Sequence, residues 1–429
     1  MTTMNRLEDL RHTMESCNHC GQCKWVAGPR TTGWRFAEIC PIHMRYHFDA
    51  YSGQGLLNIA RELLDGELSF EPGLVELIYS CTMCGACDTA CKSIRDMEVL
   101  DTIAALRAHC VDAGQGPPAP LTRAADAIAA HGNVFGRPRA ERDGWRHTAA
   151  RDEGGSGPIP EPSPASEIAY FAGCAACYLQ TGIARDSARI LAAGGWDFQI
   201  LGSDEECCGR LLWQTGQWQA AEQQIERNLA TFRRRGIKTL VTSCAECFGA
   251  FRGIYPRFAE VEVEVLHISE VIARMLREGT LRLDREVDLH LTYHDPCLLG
   301  RQSEPYVPWQ GEIKSFGLHD PPKTWRRGHD GVYDAPREVL RAIPGVTLTE
   351  MARHEENALC CGAGGGVAAA NPELARWTAN ERLDEADATG AAAIVSCCPQ
   401  CRGNFTAVLP GRERALGVFD LTNLVARAL

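Results

Sequence analysis

The sequence predicts an α+β arrangement: a mainly helical N-terminal unit followed by a duplicated α/β unit. Three observations carry this. Cysteines crowd into two tight groups before residue 92, with short helical stretches between them. From residue 168 onward strands alternate with helices, as in a mostly parallel α/β layer. The order of that alternation, with cysteines just past strand ends, runs twice.

The chain has 429 residues, too many for one ordinary core, with 45% hydrophobic and 23% charged residues. In the N-terminal unit, expected over 1–113, apolar residues recur at helical spacing over Leu56–Leu64, Leu74–Tyr79 and Ile94–Cys110. Gly114–Pro120 and Gly154–Pro164 have linker composition, so 114–165 reads as a connection. The first α/β unit, 166–285, is expected to carry strands at Ile168–Ala172, Phe198–Leu201 and Thr239–Ser243. Helices are expected at Thr181–Ala193 and Trp218–Arg235. The second, 286–429, repeats this with strands at Leu289–Tyr293, Val346–Met351 and Ala393–Ser396, and helices at Pro336–Ala342 and Pro372–Ala386. It is longer by an insertion near 302–330: 62 residues separate Cys297 from Cys360, against 32 between Cys174 and Cys207. The insertion, with Trp309 and Trp325, reads as a lid, a docking surface or a plain surface loop.

A formal net charge of -11 argues against nucleic-acid binding. The local basic cluster Lys323, Arg326 and Arg327 reads as a solvated loop. No apolar run reaches bilayer-spanning length, and Met1–Glu15 is too polar for a signal peptide. A cytoplasmic protein is expected, meeting a membrane only through partners. In that compartment the 21 cysteines favour metal ligation over disulfides.

Cys17, Cys20 and Cys23 are spaced two residues apart, as are Cys81, Cys84 and Cys87. Three thiolates at this spacing wrap one corner of a cubane [4Fe–4S] cluster, and a fourth completes the shell. Gly21 and Gly85, each directly after the second cysteine, suit the tight turn. In two-cluster ferredoxins the fourth cysteine serves the other cluster. That logic assigns Cys17, Cys20, Cys23 and Cys91 to one cubane and Cys81, Cys84, Cys87 and Cys40 to the other, a ferredoxin-like domain. Two features depart from the simplest pattern: sixteen residues lie between Cys23 and Cys40, and Lys92 rather than proline follows Cys91. Structural zinc sites show pairs rather than triplets.

Each α/β unit offers a single cysteine, a Cys–Cys–Gly and a CxxC. These are Cys174, Cys207, Cys208, Cys244 and Cys247, then Cys297, Cys360, Cys361, Cys398 and Cys401. Five thiols exceed what a cubane needs, so spacing points to a metal or redox site of unusual shape. Cys110, Cys177 and Cys397 are left over, and Cys397 adjoins Cys398.

The Cys–Cys–Gly (CCG) units resemble the cysteine-rich domains of heterodisulfide reductase, and the whole arrangement resembles the D-type iron–sulfur chain of that enzyme. It is also similar to the iron–sulfur subunits of glycolate oxidase and anaerobic glycerol-3-phosphate dehydrogenase. The resemblance rests on Tyr293-His294-Asp295-Pro296-Cys297-Leu298-Leu299-Gly300-Arg301, on Gly331-Val332-Tyr333-Asp334-Ala335-Pro336-Arg337 and on Cys360-Cys361-Gly362-Ala363-Gly364-Gly365-Gly366. It implies that each five-cysteine set holds a noncubane [4Fe–4S] cluster, and that a small disulfide or thiol is the substrate. His294 is then a candidate proton donor. His294, Asp295 and Glu206 can equally serve only to fix their loops. The glycines at 362 and 364–366 lack the Lys–Ser/Thr of a phosphate loop and suit close backbone approach to a cluster. No G-x-G-x-x-G follows a strand, so flavin or nicotinamide chemistry is expected in a partner, a flavoprotein or other redox subunit. The expected function is an iron–sulfur oxidoreductase subunit of a larger complex. The alternative is a pure relay between a flavoprotein and a quinone-linked or low-potential reductase, including bifurcating or benzoyl-CoA reductase-type assemblies.

Overall fold

Prolines and a serine mark where helices of the N-terminal unit begin. The computed structural model describes residues 6–26, 28, 32–147, 159, 161–304, 309–315, 318–323 and 325–429. The unit comprises α1 (Arg11–Glu15), α2 (Pro41–Tyr46), α3 (Gly53–Leu64), α4 (Pro72–Ser80), α5 (Ala86–Lys92) and α6 (Val99–Asp112). Pro41 and Pro72 open α2 and α4, where a missing N–H costs nothing. The Ser52 hydroxyl caps α3 by accepting from the Gly55 N–H. The expected helices Leu56–Leu64 and Leu74–Tyr79 lie inside α3 and α4. The third, expected from Ile94, starts only at Val99, because the Asp88 carboxylate accepts the Leu100 N–H at 2.9 Å and fixes the first turn there.

The stretch with linker composition is folded over much of its length. Helix α7 (Ala119–His131) starts after Pro118 and stops at Gly132, which takes a left-handed φ of 70°. Beyond it Arg142 and Trp145 are buried. The Gly154–Pro164 stretch falls largely on residues 148–158 and 160, outside the described residues.

The first α/β unit runs β1 (Ile168–Phe171), α8 (Gly173–Tyr178), α9 (Thr181–Ala193), β2 (Gln199–Ile200), α10 (Arg210–Gln214), α11 (Trp218–Arg234), β3 (Thr239–Thr242), α12 (Ala245–Gly253), α13 (Tyr255–Phe258), β4 (Glu264–His267) and α14 (Ile268–Glu278). The second runs β5 (Leu289–His294), a hairpin of β6 (Glu312–Ile313) and β7 (His319–Asp320), α15 (Asp334–Ala342), β8 (Val346–Leu348), α16 (Val367–Ala370), α17 (Pro372–Asp387), β9 (Ala393–Ser396), α18 (Pro399–Val408), β10 (Gly417–Asp420) and α19 (Leu421–Ala428). The sheets have the same order, β2-β1-β3-β4 and β8-β5-β9-β10, with every pairing parallel. Registers match too: Tyr170 and Phe171 oppose Val241 and Thr242, as Tyr293 and His294 oppose Val395 and Ser396. Sequence reading missed the edge strands β4 and β10. The alternation Val261, Val263, Val265 was the available signal for β4.

The two units pack about a pseudo-twofold axis. Helix α9 packs on α19, and α15, the counterpart of α9, packs on α14, the counterpart of α19. In the insertion, Lys323 pairs with Asp96 at 2.6 Å and Arg326 reaches Glu98 at 3.4 Å. This corrects the reading of a solvated basic loop: carboxylates of the N-terminal unit clasp it. Residues 305–308, 316, 317 and 324 of the insertion lie outside the described residues.

Candidate functional site

The first triplet sits on the loop between α1 and α2. Gly21 (φ 77°) and Gly85 (φ 74°) take left-handed conformations that turn each triplet back on itself. Cys17, Cys20, Cys23 and Cys91 line one cavity of about 90 Å³ together with Leu57, Met97 and Val99. Cys40, at the start of α2, faces Cys81 and Cys84 instead, as does Cys87. Cys91 thus lies with the first triplet and Cys40 with the second. The two groups adjoin, since Cys40 and Cys87 also feel Cys23. Gly53 separates them: a Cβ there would stand 3.0 Å from Cys87 Cβ and 3.3 Å from Cys23 Cβ. Burial pushes the Cys91 thiol up to about 12 and Cys81 up to about 11.

The ten later cysteines form two sets of equal connectivity. Neighbouring thiols run Cys174–Cys207–Cys208–Cys247–Cys244 in the first set and Cys297–Cys360–Cys361–Cys401–Cys398 in the second. Cys174 and Cys244 follow β1 and β3, at the ends of the central strands where open α/β sheets place ligands. Gly173 (φ 79°) leaves room for sulfur, for a Cβ there would lie 2.9 Å from Cys247 Sγ. Two contacts join the groups into one row. Cys84 neighbours Cys360, and Cys244 neighbours its own counterpart Cys398, so the pseudo-twofold axis passes between those two.

The leftover cysteines stand apart. Cys177 donates to Glu205 at 3.7 Å, and Cys110 is buried beside Arg107. Cys397 lies against Tyr293, as Ser243 bonds Tyr170 at 2.8 Å in the first unit. Just past β9 the side chain of Cys397 turns to Tyr293 and Asp420, whereas Cys398 turns to Cys244 and Cys401.

Buried cations surround these thiols, and sequence reading gave none of them a role beside the cysteines. Arg107 donates to the carbonyls of Cys81 (2.6 Å), Ile78, Gln214 and Gly365. Arg301 donates to Cys84 O at 2.8 Å and to Glu356 O and Ala358 O, while its Nη2 is buried with no partner among the described residues. Arg210 lies between the two sets, near Cys297 and Cys208, and its Nε is likewise without a partner. Arg142, from the stretch of linker composition, reaches Cys174 Sγ at 3.5 Å and pairs with Glu205 at 2.7 Å. Glu205 in turn accepts the N–H groups of Ala172 and Gly173 and fixes the Cys174 loop. Glu246 also lies between the sets; burial first, then Cys398, pushes its carboxyl up to about 8.

His294 is buried, and its Nδ1 accepts from Arg382 Nε at 3.1 Å. Burial and then Arg382 push its pKa down to about 3. One ring nitrogen, Cys361 Sγ and Cys401 Sγ lie within 4.8 Å of one another. Asp295 chelates Arg337 at 2.7 and 2.9 Å and accepts the Glu355 N–H, so it fixes the loop. Glu206 is held by Gln224, Arg139 and Arg227. The glycine stretch packs on the second triplet's loop: a Cβ at Gly365 would lie 2.6 Å from Cys81 O.

The donor chemistry fits anionic iron–sulfur groups. Thiols converge in sets, apolar side chains wall them off, and unpartnered guanidinium donors beside Cys84, Cys297 and Cys360 offer compensating charge. No described helix is long and apolar enough to cross a membrane.

Residues 13–93 match the 4Fe-4S dicluster domain family, and residues 168–252 and 317–406 match the cysteine-rich domain family. The chain is 32% identical to the D-type chain of the dihydromethanophenazine:CoB--CoM heterodisulfide reductase of Methanosarcina mazei, over 97% of this chain and 94% of that protein. It is 30% identical to the probable iron-sulfur-binding oxidoreductase FadF of Bacillus subtilis, over 84% of this chain and 49% of that protein. Identity to the EtfAB:quinone oxidoreductase of Syntrophomonas wolfei is 26%, over 97% of this chain and 58% of that protein.

Proposed function

The chain belongs to the D-type heterodisulfide reductase family, iron–sulfur subunits of oxidoreductases, and we propose that it carries electrons between a redox partner and a small disulfide or thiol substrate. The observation that carries this is the unbroken row of cysteine groups. It runs from Cys20, which is exposed, through Cys23 and Cys87, across Cys84–Cys360, to Cys398–Cys244 on the pseudo-twofold axis. Cubane [4Fe–4S] clusters at the two crossed N-terminal groups and noncubane ones at the two five-cysteine sets would supply one-electron transfer.

The residues of the chain do the rest. Leu57, Met97 and Val99 keep water from the first group. Arg107 and Arg301 place positive charge beside the second group and fix its loop through carbonyls. Arg210 and Glu246 stand between the two five-cysteine sets, where a substrate meeting both would be oriented. The partner, a flavoprotein or other redox subunit, would dock at the exposed edge near Cys20 and Ile94.

The test is anaerobic purification with iron, sulfide and EPR measured on one sample. About sixteen irons per chain, with a signal unlike that of a cubane, is expected if all four groups are filled. About eight irons with cubane signals alone would overturn the noncubane assignment. Disulfide cleavage driven by an artificial donor separates reductase from relay: turnover only through a partner to a quinone would favour the relay.

A further inference from the structure

The duplication supplies an internal control for His294. In each unit the residue three before the first cysteine of the set ends a central strand, and it is Phe171 before Cys174 but His294 before Cys297. The registers confirm the equivalence, Phe171 opposite Thr242 and His294 opposite Ser396. The first set therefore has an apolar ring where the second has a buried imidazole.

The hydrogen bonds around that imidazole fix its proton. Arg382 can only donate, and it is pinned by Glu385 Oε2 at 2.6 Å and Arg353 O at 2.8 Å. Its Nε donates to Nδ1 of His294 at 3.1 Å, so Nδ1 carries the lone pair. The single ring proton of the neutral imidazole then sits on Nε2. Nε2 is buried and has no partner among the described residues, while the ring lies with Cys361 and Cys401 and is braced edge-on by Phe405 at 5.0 Å. A nitrogen that keeps its proton offers no lone pair to a metal. An imidazole held neutral by a fixed guanidinium has no second proton to give.

We propose that His294 is a positioning residue whose Nε2–H donates a permanent hydrogen bond to sulfur at the second five-cysteine set, making that site the more readily reduced of the two. Hydrogen bonds to sulfur stabilise the extra negative charge of the reduced state and raise the potential. Phe171 offers the first set no such donor. The inference rests on the reading that both sets hold [4Fe–4S] groups.

The test uses the full chain, purified anaerobically as wild type, His294→Leu and His294→Gln, with iron content, EPR-monitored redox titration and proton ENDOR after H2O/D2O exchange. With wild-type iron content, His294→Leu should lower the midpoint potential of one noncubane signal, leave the other unmoved and abolish a strongly coupled exchangeable proton. His294→Gln, which keeps an N–H donor, should restore much of the shift. An unchanged midpoint in the iron-replete leucine variant overturns the proposal. So does a wild-type potential that falls steadily with pH but ceases to do so in that variant, because His294 would then deliver a proton. If the leucine variant loses iron, the glutamine variant decides: a full complement at near wild-type potential supports the hydrogen bond, and iron loss there overturns it. Wild-type protein with iron at the N-terminal cysteines only would instead overturn the underlying reading, and the iron count identifies that case separately.

Discussion

Arg107 shows how one residue can belong to all three units. Its guanidinium is fully buried and joins Ile78 and Cys81 of the N-terminal unit to Gln214 of the first α/β unit and Gly365 of the second. Arg107→Met would leave those carbonyls without donors, at about 1–3 kcal/mol for each buried group left unpaired. We expect a loss of at least about 3 kcal/mol, read as a lower denaturant midpoint, together with loss of iron at the second triplet. The crossed cysteine grouping makes a second prediction. Cys91→Ser should remove the signal of the Cys17–Cys20–Cys23 group, and Cys40→Ser that of the other group, each losing about four irons per chain. A loss following nearest neighbours in sequence, Cys40 with the first triplet, would refute the crossing. The cysteine groups were legible as groups because their spacings are short and repeated. Arg107, Arg142 and Arg301 were not, because their partners are carbonyls and sulfurs far away in sequence. Cys397 became interpretable only once β9 could be laid over β3 and Ser243 identified as its counterpart.

At the scale of elements, the central strands and longer helices were legible, and the weak points lie where tertiary contacts overrule local pattern. Helix α7 presents only Leu121 and Ile128 as buried residues, too few for a clear apolar stripe, yet Pro118 and Gly132 bracket it as start and stop. The α9–α19 contact has its own titration. Asp186 is buried on α9 and accepts from Asn423 of α19 at 2.7 Å, and burial pushes its carboxyl up to about 6. A folded-state pKa above the unfolded value near 4 means that the unfolded chain releases this proton first as pH rises. The native state therefore loses stability from about pH 4 to about pH 6 and is then level, by up to about 3 kcal/mol. Asp186→Asn should gain on wild type across that window and run parallel above it, which paired denaturant titrations at several pH values would reveal. Gly53 on α3 makes a steric prediction. In Gly53→Ala the added methyl meets Cys87, Cys23 and Val99 at 3.0–3.3 Å, so at least one N-terminal group should be lost from the EPR spectrum while α3 itself remains helical.

For the whole molecule, the arrangement of cores argues against independent domains. Met14, Leu57 and Ile103 of the N-terminal unit share an apolar core with Leu212, Trp213 and Phe251 of the first α/β unit. Ile190 and Leu191 of that unit share another with Leu424 and Val425 of the second. The insertion adds ion pairs from the second unit back to Asp96 and Glu98, so each unit is bonded to both others. Such continuity serves the row of cysteine groups, because transfer between neighbours needs fixed separations and a hinge at any junction would open a gap. Apolar interfaces of this kind couple units that would otherwise unfold separately. Far-ultraviolet circular dichroism, tryptophan fluorescence and the visible absorbance of bound iron should therefore fall together in one denaturant transition under anaerobic conditions. Early loss of the cubane EPR signals while the noncubane signal and the α/β circular dichroism persist would show that the N-terminal unit opens alone, and that its junction with Cys360 is a joint rather than a rigid seam.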